Sequence, residues 1–349
     1  MQYGAHPSNL IESLAFRLGQ VPIPVLDALM PLLKTRSILA GVELGIFEAL
    51  RAGGLTAAAV ARQRELDPEN VELLLRTLVA CEYLQQNGDL YRLTPLARRS
   101  LLRGSDNELW GFTSWCGHLW GTIAELEKLV STGVGVDLHG RLEDPALWAS
   151  YQRAMLEIAR FQAKTLARKI PLPRGARRLL DIAGSHGLFA AELVRRHPGL
   201  VAEVIELEKA LGAARELARE EGIADLVTHR AGDLRSDEFG EAEIDLVLLA
   251  NILHHFRAEE NIDLLRRVRR ALKKGGQVAI WEIDVPASGS KADIGDLGAL
   301  FFRLTSSAAA WRADDYADWL RQAGFAKVVV KRFFTLPGNV LVLGGEGKK

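Results

Sequence analysis

Cysteine is nearly absent: Cys81 and Cys116 are the only 2 in 349 residues, and each sits in an apolar, helix-like setting. That scarcity argues against a disulfide framework and for a reducing compartment. Net charge is absent as well, with 44 basic residues against 44 acidic ones, and no block of like charge stands apart as a tail. A chain built chiefly to neutralise phosphates would carry an excess of lysine and arginine, so no nucleic-acid partner is expected. No run of roughly 18 uninterrupted apolar residues occurs, which leaves no membrane-spanning helix. Met1-Gln2-Tyr3-Gly4 lacks the charged and apolar regions of a signal peptide. These absences together lead us to expect a cytoplasmic protein with no membrane association. What is present is apolar: 48% of the residues are hydrophobic, enough for sizeable cores, and the length suggests two domains of ordinary size.

Patterning divides the chain into residues 1–105, 106–170 and 171–349. The first segment is helical with one hairpin. Ser37 to Leu50 reads as a single amphipathic helix through Leu39, Val42, Ile46 and Leu50. Thr56 is placed to cap a second helix. Asp67-Pro68 reads as N-cap and first residue of a third, which carries Val71, Leu74, Leu75, Leu78 and Val79 as one stripe. Asn87-Gly88 then separates two short strands, a two-residue hairpin signal. Three helices and a wing outline a winged-helix-like domain. Its third helix is aliphatic and offers Arg76 against Glu72 and Glu82, which does not suit a DNA reader. Packing against a second subunit fits that surface better. The middle segment is helical and holds Trp110, Trp115, His118, Trp120 and Trp148. These tryptophans read mainly as core, and some are candidates to wall a flat ligand.

The last segment alternates strands with helices, which implies an α/β fold with a mostly parallel sheet covered on both faces. Strands are expected at 178–182, 202–206, 246–250 and 277–281. A helix from Asn261 to Leu272 should end at Lys274-Gly275-Gly276, and 327–333 with 340–343 should close the sheet as an antiparallel hairpin. Ligands of such sheets bind beyond the carboxyl ends of the strands, so the chemistry is sought there. The first strand ends in Asp181-Ile182-Ala183-Gly184-Ser185-His186-Gly187, a small-residue turn into a helix, but not the G-x-G-x-x-G dinucleotide fingerprint. The second ends at Glu206, where a carboxylate can accept from both ribose hydroxyls. A third should end near Gly232-Asp233-Leu234, where Asp233 can meet an adenine amino group and Leu234 its ring. The fourth leads into Leu253-His254-His255-Phe256, and the fifth ends at Glu282, a carboxylate suited to orient an imidazole. Zinc on His186, His254 and His255 lacks a supporting cysteine or H-x-x-x-H pattern, so no metal is expected.

In these motifs the chain resembles the caffeate-type O-methyltransferase family of plant phenolic and bacterial polyketide enzymes, over nearly its whole length. Leu44-Gly45-Ile46-Phe47 and Tyr91-Arg92-Leu93-Thr94 resemble its N-terminal domain. The resemblance implies a Rossmann-like class I methyltransferase domain with a seven-stranded sheet, joined to a winged-helix-like dimerisation domain, and a homodimer. It further implies S-adenosylmethionine held by Asp181, Ala183, Gly184, Gly187, Glu206, Leu207, Asp233 and Leu234. The base would be His254, with Glu282 orienting it and His255 as a possible substitute. A small-molecule acceptor would sit among Trp120, Met155 and Phe302. The sequence also departs from the family. Ala183 and Ser185 stand where glycine is usual, Ala250 where a basic residue often stands, His255 where an aspartate follows the base, and Ala310 near the place of a second glutamate. Two rivals remain at this point: decarboxylation or hydroxylation on the same cofactor, and a winged-helix regulator.

Overall fold

Two units divide the chain, Met1–His118 and Leu119–Lys349, in a computed structural model that describes residues 7–285, 294–306, 308, 311–333 and 338–346. Of the tryptophan-rich middle segment, the helix Trp110–His118 falls in the first unit. The helices Trp120–Ile123, Leu126–Thr132 and Pro145–Lys169 fall in the second.

The first unit is helical around one hairpin. The single helix expected over 37–50 is instead the end of a longer one, Ile23–Glu43, followed by a short helix, Ile46–Ala49. Gly45 breaks them apart. Its φ of 67° is left-handed, and its N–H closes on Val42 O at 3.1 Å, a helix stop that favours glycine. Arg64 reinforces the stop by donating from Nε to Leu44 O at 2.9 Å. Thr56 and Asp67 cap their helices as expected, accepting from the N–H groups of Ala59 and Asn70. The helix Pro68–Ala80 turns Val71, Leu75 and Leu78 into the unit's own core, with Ile46, Phe47, Val60 and Tyr91. The wing consists of β1 (Leu84–Asn87) and β2 (Leu90–Leu93). Here the register corrects the sequence reading. Asn87 pairs with Leu90, so the two-residue loop is Gly88-Asp89, with positive φ at Gly88 alone. Helices Leu10–Arg17 and Ile23–Glu43 leave large apolar side chains in water, Leu10 at 89% and Ile11 at 82%, with Leu29, Leu32 and Leu33 also exposed.

In the second unit one sheet contains β3 (Arg178–Ile182), β4 (Val201–Glu206), β5 (Val227–Ala231), β6 (Ile244–Ala250), β7 (Leu272–Ile283), β8 (Lys327–Arg332) and β9 (Asn339–Gly345). Their order is β5-β4-β3-β6-β7-β9-β8. The first five run parallel and β9 is antiparallel to both neighbours. Apolar residues fill both faces, as a sheet buried on two sides requires. Leu179, Val204 and Leu246 pack with Pro145–Lys169, Leu188–Arg196 and Glu208–Glu220. Leu180, Ile205 and Val247 face Ala258–Ala271 and Ala313–Gln322. The helix expected to end at Lys274-Gly275-Gly276 ends at Ala271 instead, and β7 begins at Leu272. Ile244 pairs with Leu272 and Leu246 with Gln277, so 273–276 bulge out of the ladder. Gly275, at φ 81°, permits the bulge. Among the described residues no helix is long and apolar enough to cross a membrane.

The sheet's order places the site. The chain moves outward from β3 through β4 to β5, then returns to place β6 on the other side of β3. A crevice opens where the order reverses, beyond the carboxyl ends of β3 and β6.

Candidate functional site

A cavity of about 360 Å³ occupies that crevice, wholly within the second unit. The turns after β3, β4, β5 and β6 line it with Ala183 to His186, Glu206 and Leu207, Asp233 to Arg235, and Ala250 to Ile252. Met155, on the helix Pro145–Lys169, and His255 complete the expected lining residues.

The turn after β3 is tightly wound. Ala183 (φ 58°), Ser185 (φ 50°) and Gly187 (φ 77°) all lie in the left-handed region. For a residue with a Cβ that conformation costs roughly 1–2 kcal/mol. Backbone bonds hold it in place: Ser185 N–H donates to Glu206 Oε2 at 3.1 Å, and Ser185 O meets His229 Nε2 at 3.0 Å. Gly184 is required by close approach, because a Cβ there would stand 2.5 Å from the Asp181 carboxyl. Gly187 faces the sheet, over Val204 and Val227. His186 is buried and accepts the Leu188 N–H at Nδ1 (3.0 Å), satisfying one free donor at the helix start. Burial pushes its pKa down to about 3.

Asp181 is fully buried beneath this turn, and neither of its oxygens has a partner among the described residues. Burial, with the nearby Glu206 carboxyl, raises its pKa to about 8. Burial raises Glu206 to about 7, against the Leu207 and Ser185 N–H groups that pull it down. Below its unfolded value of 4.5, Glu206 is protonated in both states and costs nothing. As pH rises from there to about 7, the folded protein holds a proton the unfolded chain has released, so stability is lost. Buried His139 and His186, whose pKa values are lowered to about 4 and about 3, act in the opposite direction. The carboxyl's part is therefore read as a difference. Relative to Glu206→Gln, the wild-type melting temperature is expected to fall steadily from about pH 4.5 to about pH 7 and to run parallel above that. Parallel curves throughout would contradict the raised pKa.

Beyond β5, Asp233 lines the cavity, and its Oδ1 accepts the Arg235 N–H at 2.9 Å, which fixes the turn. Gly232 allows this turn to pack close, since a Cβ would meet Asp237 Oδ2 at 2.5 Å and Ile205 at 2.7 Å.

Beyond β6 a single 3₁₀ turn, Leu253–His255, presents the histidines. Glu282, fully buried on β7, accepts from Leu253 N–H at 2.6 Å and His254 N–H at 3.4 Å through Oε1. Its Oε2 lies 2.9 Å from His254 Nδ1. An acceptor at Nδ1 leaves Nε2 as the ring nitrogen with a free lone pair. Asn261 holds both ends of the turn, donating from Nδ2 to Leu253 O at 3.0 Å and Phe256 O at 3.2 Å. The His254 ring packs on Phe302 (centroids 4.0 Å apart) and on His255 (4.1 Å). His255 lines the cavity, and His254 meets that wall through its ring contact with His255. Burial, with His254 and His139 nearby, keeps the pKa of His255 well below the usual histidine value.

Sequence reasoning missed several members of this wall. His139, in the irregular stretch before the long helix, stacks on Trp148 and stands edge-on to Tyr151 and His255, 4.6 Å from the latter. Lys209 donates to His139 O and lies 5.1 Å over the Trp148 ring. Tyr151 and Gln152 stand one turn before Met155 on the same cavity face, a spacing the sequence could have shown. Phe302 touches His254 without lining the cavity, and Trp120, 38% exposed, is not part of its wall. Ala310 lies outside the described residues. Among the described residues no cluster of histidine, cysteine and carboxylate side chains could hold a metal.

Comparison with known proteins points the same way. A family model described as an O-methyltransferase domain matches residues 121–326, and one described as an O-methyltransferase dimerisation domain matches residues 26–103. The chain is 28% identical to the 3-hydroxy-5-methyl-1-naphthoate 3-O-methyltransferase of Streptomyces sahachiroi, over 93% of this chain and 95% of that one. It is 27% identical to the N,N-dimethyltransferase OxyT of Streptomyces rimosus, over 89% and 92%. The fold matches the crystal structure of human N-acetylserotonin methyltransferase in complex with S-adenosylmethionine, with a TM-score of 0.84, 21% identity, and coverage of 99% of this chain and 100% of that one.

Proposed function

Because the chain belongs to the O-methyltransferase family, we propose that it methylates a hydroxyl of a small aromatic or polyketide-like acceptor from S-adenosylmethionine, with His254 as general base. One observation carries this reading: the buried His254–Glu282 pair follows β6 at the switch point of the sheet, in ring contact with His255 on the crevice wall. The family's cofactor suits the donors and acceptors present. Asp181 has two buried oxygens without partners, Ser185 a buried hydroxyl without one, and Gly184 keeps the backbone close to Asp181. In this reading Asp181, Ala183, Gly184 and Gly187 shape the turn beside the cofactor. Glu206 and Leu207 take the ribose, and Asp233 and Leu234 the adenine. When bound, the cofactor supplies a methyl group on a sulfonium, an electrophile that needs an aligned acceptor atom.

The protein's own part is proton handling and alignment. A phenol with a pKa near roughly 10 holds its proton at neutral pH. His254 takes that proton at Nε2 as the acceptor oxygen gains the methyl group. Glu282 fixes the ring through Nδ1 and stabilises the imidazolium that forms. His255, kept neutral by its surroundings, lines the acceptor side with Met155, and Phe302 supports the base from behind. An amine acceptor would use the same alignment, as the N,N-dimethyltransferase relative suggests. The apolar side chains exposed on Leu10–Arg17 and Ile23–Glu43 need cover, and the match to a dimerisation domain supports a second copy of the chain as that cover.

The test is turnover of S-adenosylmethionine against a panel of hydroxylated aromatic and polyketide acceptors. S-adenosylhomocysteine should appear only with an acceptor present, matched by one methyl group gained on an acceptor oxygen. Acceptor-dependent loss of carbon dioxide or gain of a hydroxyl, with no methylated product, would contradict the proposal.

A further inference from the structure

Between the helices Leu126–Thr132 and Pro145–Lys169, residues 133–144 form no helix or strand. Three of them, Asp137, His139 and Gly140, line the cavity together with Ser185, Glu206 and Lys209 from the strand ends. The root of this stretch is bound to the end of the helix Ile294–Thr305. Gly133, at φ 73°, ends the first helix, and its carbonyl accepts from Arg303 Nη2 at 2.9 Å. Gly135 is required by close approach, because a Cβ there would stand 2.6 Å from Arg303 O and 2.9 Å from Leu304 O. The Val136 N–H then donates to Leu304 O, and Val136 is buried with Leu129 and Leu304 in a small core apart from those of the sheet.

The tip, residues 137–142, closes on itself. Asp137 accepts the Gly140 N–H at Oδ1 (2.9 Å) and the Arg141 N–H at its carbonyl (3.2 Å). Toward the sheet it is held by the His139 ring, against Trp148, Tyr151 and His255, and by a bond from Lys209 Nζ to His139 O at 3.1 Å. Lys209 is exposed, so water competes for that bond and it opens readily. The turn after β3 is instead fixed by Glu206 and His229. A ligand that rests on Glu206 and fills this cavity meets the tip as well, and the wall that yields to admit it is the one more weakly fastened. We propose that residues 137–142 are a strap that swings on the root at 133–136 to admit S-adenosylmethionine, and that Lys209 latches it shut through His139 O. The proposal rests on the cofactor reading above for its ligand and adds the way that ligand enters and leaves.

Lys209→Met keeps the length of the side chain and removes its donors. In stopped-flow binding of S-adenosylhomocysteine, this variant is expected to associate and dissociate faster by about 3- to 10-fold, as for one lost hydrogen bond, with Kd within about two-fold. A latch holds the strap shut in the empty and the loaded protein alike, so its loss speeds both steps, whereas a lysine that touched the ligand would change dissociation alone. Lys209→Arg should restore the wild-type rates. Hydrogen exchange reads the strap without any ligand. The amides of 137–142 should exchange faster in empty Lys209→Met than in empty wild type, while those of β3 and β4 keep their rates. Unchanged exchange at 137–142, or an association rate equal to that of wild type, would overturn the strap. Wild type that takes up no S-adenosylhomocysteine would overturn the cofactor reading beneath it, whichever way the exchange result falls.

Discussion

Replacing His254 with alanine is expected to lower kcat by about 10²- to 10⁴-fold at saturating cofactor and acceptor, the usual cost of losing a positioned base. Affinity for S-adenosylhomocysteine should change little, because the cofactor's proposed partners lie on the turns after β3, β4 and β5. His255→Ala serves as the comparison. Both imidazoles end the same strand, but only His254 has a carboxylate at Nδ1, with Glu282 at 2.9 Å. His255 instead packs between the His139 and His254 rings, so its loss should cost about ten-fold or less, through acceptor fit, far below the loss of a base. Steady-state kinetics on both variants decide the matter. If His255→Ala is the dead enzyme and His254→Ala turns over, the base is His255.

Glu282→Gln should follow closely. The swap is nearly isosteric, and the amide oxygen can still accept the Leu253 and His254 N–H groups that Glu282 Oε1 accepts now. What the amide cannot do from its nitrogen is accept from imidazole Nδ1–H. The ring is then driven to the other tautomer, with its proton on Nε2 and no lone pair for the acceptor. A kcat loss of about 10²- to 10⁴-fold with a nearly unchanged melting temperature is therefore expected. Glu282→Ala adds a structural cost of about 2–4 kcal/mol, because two backbone N–H groups in a fully buried turn lose their acceptor. Denaturant unfolding and kcat measured on the pair separate the two roles. Wild-type turnover in Glu282→Gln would end the orienting role.

Much of the site could be located from sequence because a parallel sheet orders its chemistry by strand. Asp181 and Glu206 lie at the carboxyl ends of β3 and β4, and Asp233 and His254 just beyond β5 and β6, so alternation of apolar runs and helices was enough to align their positions at one end of the sheet. What the sequence hid depends on contacts distant in the chain. His139 lies in an irregular stretch with no periodicity, and it becomes visible only when its ring meets Trp148 and His255. Gln152 looks like an ordinary polar residue on an amphipathic helix, and its orphaned amide appears only once the cavity closes around it. The helix break at Gly45 is reinforced by Arg64, which reaches back from the end of the helix Ala57–Arg64, 20 positions along the chain, to Leu44 O. At the hairpin, Asn87-Gly88 and Gly88-Asp89 both carry a glycine, and cross-strand pairing alone selected the second. Ala183 and Ser185, departures from a glycine-rich pattern, turned out to hold the left-handed conformations that glycine would otherwise supply.

The most direct measurement is calorimetric titration of S-adenosylhomocysteine into wild type and Glu206→Ala at neutral pH. Glu206 is 8% exposed, ends β4 on the cavity wall, and already holds the β3 turn through the Ser185 N–H. Saturable wild-type binding at one ligand per chain, weakened by about 10- to 100-fold in the variant, is the expected result. A folded wild type that takes up no ligand, or a Glu206→Ala protein that binds as tightly as wild type, would contradict a methyltransferase whose cofactor rests on this strand.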